Sequence, residues 1–83
     1  MKCTILHETR GRMRVRLCCR RMTLEQADVL EYYLRAVDGV QSVKVYDRTR
    51  DAVVVYAGRR SELIRVLGAF SFAKAEALSL IHI

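Results

Sequence analysis

An α+β sandwich, with two helices laid on one face of an antiparallel sheet, is the fold class the sequence predicts. Three observations point to it. Residues 12–17 alternate arginine with an apolar residue, which is the period of a strand. Residues 24–37 carry apolar side chains at helical spacing. Two further strand-like runs, 41–46 and 52–56, are separated only by the polar stretch Asp47-Arg48-Thr49-Arg50-Asp51, as in a hairpin.

Taken in order, Cys3 to Leu6 is a short β-prone run. It either pairs with the next strand as a hairpin or continues into it through an irregular stretch at Gly11. In Arg12 to Leu17, Met13, Val15 and Leu17 are predicted to face the core. Thr23-Leu24-Glu25-Gln26 is a capping-box pattern with Thr23 as N-cap and Gln26 three residues on. It opens a helix near 24–38 whose inward stripe is Leu24, Ala27, Leu30, Leu34 and Val37. Asp38-Gly39-Val40 is expected to end that helix, with Gly39 in the left-handed position just past it. Strands are expected near 42–47 and 52–57. In the first of these, Val43 and Val45 lie on one side and Lys44 and Tyr46 on the other. Ser61 is placed to cap a second helix near 61–68, with Leu63, Ile64 and Leu67 inward. Phe72 to Ala77 has period two and is predicted as the last strand. The order β-α-β-β-α-β defines a ferredoxin-like sandwich.

Length and charge narrow the function. Eighty-three residues suffice for one domain, and 52% hydrophobic residues argue for a folded, mainly aliphatic core. No apolar run approaches the roughly 20 residues of a membrane span. The opening run is too short for a signal peptide, so a cytosolic chain with reduced thiols is expected. The net charge of +6 arises in residues 1–21, where seven basic groups face Glu8 alone; acidic and basic groups balance in the remainder.

If Met13, Val15 and Leu17 face the helices, Arg12, Arg14 and Arg16 line the open sheet face, joined by Lys44 and Tyr46. A basic sheet carrying tyrosines is similar to surfaces that bind RNA. The aromatic signature of those modules is missing, because Arg50 to Tyr56 contains no Gly-aromatic pair. A solvated or protein-contacting face is the competing reading, since edge arginines also deter strand pairing. Cys18 and Cys19 stand where the first core strand hands over to the helix. Soft metals require thiolates that converge on one point. Adjacent cysteines on an extended chain point to opposite faces, so one core-facing and one partly exposed thiol is expected. Weak copper(I) or zinc binding is the most this pair is expected to support. One internal histidine, no glycine-rich phosphate loop and no acid–base pair leave no catalytic set, so the chain is not expected to be an enzyme.

His7-x-x-x-Gly11-Arg12-x-Arg14-x-Arg16, the helix ending in Asp38-Gly39-Val40, and Ser42-Val43-Lys44-Val45-Tyr46 together resemble a known family. It is the degenerate heavy-metal-associated domain at the N-terminus of many bacterial heavy-metal-translocating P-type ATPases. The resemblance runs from about Lys2 to Leu78. Such domains are similar in fold to copper chaperones and lack their Met-x-Cys-x-x-Cys loop. Two departures stand out: Thr9-Arg10 precedes Gly11 where a proline is common, and Thr49-Arg50 replaces an expected Thr-Gly. The resemblance implies a cytosolic regulatory or accessory domain on the cytoplasmic face of the membrane. Its parent would use ATP to export a soft or transition cation. The implied partners are the parent's other cytosolic domains, with membrane contact through the parent only; nucleic acid is not an expected partner on this reading, and any small-molecule ligand is unknown. His7, Gly11, Arg12, Arg14 and Arg16 would be its motif and contact residues.

Leu78-Ser79-Leu80-Ile81-His82-Ile83 is also the translation of CTGTCTCTTATACACATC, the end of a transposon adapter used in library preparation. Residues 78–83 are therefore expected to be a non-native tail on a single domain spanning 1–77, cut from a longer parent. The alternative function is a stand-alone nucleic-acid-binding module using Arg12, Arg14, Arg16 and Tyr46.

Overall fold

A computed structural model of the chain describes residues 2–71. Six elements follow one another: β1 (Cys3–Thr9), β2 (Arg12–Leu17), α1 (Leu24–Arg35), β3 (Val40–Tyr46), β4 (Asp51–Tyr56) and α2 (Arg60–Ala69). The four strands form one antiparallel sheet in the order β1-β2-β4-β3. The α+β, ferredoxin-like architecture is the one the periodicities predict.

The opening run forms the hairpin. β1 pairs with β2 from Cys3↔Leu17 to Thr9↔Arg12, with a bulge between Ile5 and His7. Gly11 turns the chain at a φ of +84°. In a β-α-β-β-α-β sandwich the last strand is expected beside the first. Here β1 fills that edge of β2, and the strand expected over 72–77 lies outside the described residues.

The core sits between the sheet and the helices. Met13, Val15 and Leu17 are at most 2% exposed, while Arg12, Arg14 and Arg16 are exposed between them, so the strand alternation is realised as read. Ala27, Leu30 and Leu34 of α1, Leu63 and Leu67 of α2, and Val43, Ala52 and Val54 of the sheet complete one cluster. Each large apolar side chain buried there contributes about 1.5–3 kcal/mol. Phe70, just past α2, packs edge-on against Tyr33 of α1 with ring centroids 5.1 Å apart.

The capping box forms as predicted: Thr23 Oγ1 accepts from the Gln26 amide, and the Thr23 amide donates to Gln26 Oε1, both at 3.1 Å. Four expectations are corrected. Leu24 is 70% exposed, because the apolar partner at this helix start is Met22, before the cap, buried in the same cluster as Ala27. The helix stops at Arg35, short of the 38 expected. Gly39 is left-handed, with φ +88°, but it belongs to a separate turn closed by the Val40 amide donating to Val37 O at 3.1 Å. Ser61 does not cap α2: the N-cap is Arg59, with no side-chain capping bond, and the helix starts one residue earlier. Among the described residues, no helix is long and apolar enough to cross a membrane.

Candidate functional site

The open face is built by alternation and register. β2 presents Arg12, Arg14 and Arg16; across it, β1 sets Thr9 opposite Arg12, His7 opposite Arg14 and Thr4 opposite Arg16. Gly11, in the β1–β2 turn, accepts the Tyr56 amide through its carbonyl at 2.9 Å. His7, Gly11, Arg12, Arg14 and Arg16, separate in the sequence motif, thus meet along one hairpin. β4 contributes Asp51 opposite Arg16, and β3 sets Tyr46 opposite Asp51.

Asp51 organises this face. It is 0% exposed, in a central strand, and would be costly to bury unpaired. Four guanidinium N–H groups satisfy it. Arg14 donates from Nε at 3.1 Å and Nη2 at 2.9 Å to Oδ2. Arg16 donates from Nε at 2.8 Å to Oδ1 and from Nη2 at 3.3 Å to Oδ2. The Arg14 guanidinium also lies 5.6 Å from the Tyr46 ring centroid, a cation–π contact. Burial alone pushes the Asp51 carboxyl up, but the hydrogen bonds and charges of Arg16 and Arg14 outweigh it and hold the pKa below its ordinary value. The Arg16 guanidinium is shifted up in return, through its hydrogen bond to Asp51. Two of the three face arginines are therefore spent on a carboxylate of the same sheet. Arg12 and Lys44 ion-pair with no carboxylate among the described residues.

Sequence reasoning missed Asp51, taking it as the end of the polar turn. The signal was present: a four-residue turn over 47–50 pairs Tyr46 with Asp51, and period two then sets Asp51, Val53 and Val55 on one face. That face is the arginines' own.

At the other end of the hairpin, Glu8 forms an ion pair with Arg60 at the start of α2 and accepts from the Tyr56 hydroxyl at 3.5 Å. The Arg60 hydrogen bond lowers the Glu8 pKa. These residues line an open cleft of about 670 Å³ whose carboxylate is already paired.

The thiols lie where β2 hands over to α1. The Cys19 amide donates to Leu17 O at 3.0 Å, so the chain bends at Cys18. Cys18 is exposed, whereas Cys19 is half-buried against the core. Cys3, also half-buried against the core, has its pKa raised by burial first; the N-terminal charge opposes the rise and Cys18 adds to it. Among the described residues, no three His, Cys, Asp or Glu side chains gather at a common point.

An antiparallel α+β sandwich of this kind belongs, by its fold, to the ferredoxin-like class. Over 77 residues the chain is 39% identical to the zinc-exporting P-type ATPase of Mycobacterium marinum, a match covering 93% of this chain and 10% of that protein. The similarity supports a domain related to P-type metal-transporting ATPases. The chain spans about a tenth of the length of the curated relative it matches. No family model and no solved structure matches the chain.

Proposed function

We propose that the chain is a cytosolic accessory or regulatory domain, of the degenerate heavy-metal-associated type, in a P-type ATPase that exports zinc or a related soft or transition cation. The observation that carries this reading is the 39% identity to a zinc-exporting ATPase along nearly the whole chain. The domain's own part is contact and not chelation. The sheet offers a rigid face in which Arg14, Arg16, Tyr46 and Asp51 hold one another in place, with Arg12 and Lys44 free at its margins to pair with acidic groups of a neighbouring cytosolic domain. Guanidiniums fixed in this way lose little further entropy on docking.

Two measurements test the proposal in sequence. The genomic reading frame should continue past the codon for Ala77 into a long chain with several membrane spans; a nearby stop codon would end the proposal. In that parent, deletion of residues 1–77 should change the zinc-stimulated ATPase rate or its metal dependence while leaving the pump able to transport. An unchanged rate and metal dependence would remove the regulatory role.

A further inference from the structure

We propose that the cleft between the β2–α1 loop and the β3–β4 turn is an anion site that takes a phosphate monoester or pyrophosphate group. It shares no lining residue with the Asp51 cluster and does not depend on the ATPase reading. Arg20 and Arg21 enter it from the loop, and Arg48 and Arg50 from the turn. Among the described residues, Asp47 supplies the one carboxylate of this surface cleft of about 390 Å³.

The two segments that carry the arginines are tied together. The Leu17 amide donates to Arg50 O at 2.9 Å, and Arg50 Nη1 donates to Cys19 O at 2.8 Å and Arg20 O at 3.3 Å. Those carbonyls orient the guanidinium without neutralising it, and Arg50 Nε is buried with no acceptor among the described residues. The side chains of Arg20, Arg21 and Arg48 make no ion pair or hydrogen bond among the described residues. Four cations against one carboxylate repel one another, so an anion carrying two or more charges relieves the cleft. Phosphate suits guanidinium because its oxygens accept two parallel N–H bonds from each fork. Arg50 adds a second sign that the arrangement is specific. It sits at φ +62°, a left-handed backbone position that a non-glycine residue occupies at a cost. Its side chain spans to the opposite loop from there.

The test is calorimetric titration of the 83-residue chain with sodium pyrophosphate at constant ionic strength, with thermal melting and amide chemical shifts alongside. The expected result is saturable binding at one site, a higher melting temperature, and shifts confined to residues near 19–22 and 47–50. The double variant Arg20→Ala, Arg48→Ala should bind about tenfold or more weakly. Both side chains are exposed and unpaired, so this variant keeps its fold, checked by circular dichroism. Removal of the same charge from the open face, Arg12→Ala with Lys44→Ala, should change affinity by less than about threefold, since screening weakens action at a distance. Sedimentation with phosphatidylcholine vesicles, with and without phosphatidic acid, separates the sources of the phosphate. Vesicle binding lost in the Arg20, Arg48 variant identifies a lipid headgroup; pyrophosphate binding alone identifies a soluble ligand. Both support the site. No saturable binding in either arm, or equal weakening in the two double variants, overturns it.

Discussion

Arg16 and Asp51 face each other directly across the β2–β4 pair, and Arg16 Nε donates to Asp51 Oδ1 at 2.8 Å. The carboxylate is fully buried, whereas the side chains of Arg14 and Arg16 remain 44% and 45% exposed. Breaking a fully buried pair costs about 3–5 kcal/mol, but here the two arginines regain water when the carboxylate goes. Asp51→Ala is therefore expected to destabilise the domain by about 1–2 kcal/mol. Thermal melting should register this as a fall of roughly 5–15 °C. A smaller fall in an otherwise native chain would mean that the arginines hold the face without the carboxylate.

The same carboxylate sets an acid limit. Its folded pKa lies below the ordinary value, so the unfolded chain binds the proton more readily. Its contribution is fully present above the unfolded pKa, about 3.9, and is lost as pH falls below that value through the folded pKa. Glu8 and Glu62 shift in the same direction, led by their hydrogen bonds from Arg60 and Arg65. Stability measured by urea unfolding from pH 6 downward should decline in the wild type and decline less steeply in Asp51→Asn. Parallel curves would show that Asp51 titrates alike in both states.

Gly39 is expected to tolerate no side chain. A Cβ there would stand 2.3 Å from Ala57 O, a backbone atom, at a φ of +88°. The Gly39 carbonyl also accepts from the Ala57 amide at 2.7 Å, tying the start of β3 to the end of β4. Left-handed geometry alone costs about 1–2 kcal/mol, and the contact adds to it. Gly39→Ala should lower the melting temperature by roughly 8 °C or more. An unchanged melting temperature would mean that the turn is not formed as described.

Arg50 offers a comparison of two substitutions at one position. Arg50→Gly removes both the left-handed penalty and the bonds to Cys19 and Arg20. Arg50→Ala removes the bonds and keeps the penalty. The alanine variant should therefore melt below the glycine variant, by an amount corresponding to about 1 kcal/mol. Equal melting temperatures would show that position 50 leaves the left-handed region once its side chain is cut.

For the thiols, the reduced monomer is expected to bind copper(I) or zinc far more weakly than a domain with a Cys-x-x-Cys loop, because Cys18 is exposed while Cys19 packs toward the core. Residual binding should vanish in Cys18→Ser, Cys19→Ser and be indifferent to His82→Ala. Competition against a strong copper(I) chelator decides it: one tightly held ion per monomer, lost with either cysteine, would make this a metal-donor domain.

Local pattern by itself determined much of this protein. Alternation in 12–17, the Thr23–Gln26 capping box and helical spacing through Leu34 need no distant partner to be read, and they led to the elements that form. The exposed arginines were legible for the same reason, since strand alternation is a property of the chain alone; the divided exposure of Cys18 and Cys19 follows instead from the bend just past the end of β2. Tertiary structure decided what those side chains meet. Whether Cys3–Thr9 pairs back on β2 depends on a free sheet edge, which local sequence does not reveal. The charge of Arg14 and Arg16 could be weighed only once the 47–50 turn had set its register and brought Asp51, 37 and 35 residues away in sequence, onto their face. Likewise Arg50 and the cysteine loop become neighbours only across the folded sheet. Period and capping act over a few residues, while ion pairing and close backbone approach act through space, and space is assigned by the fold.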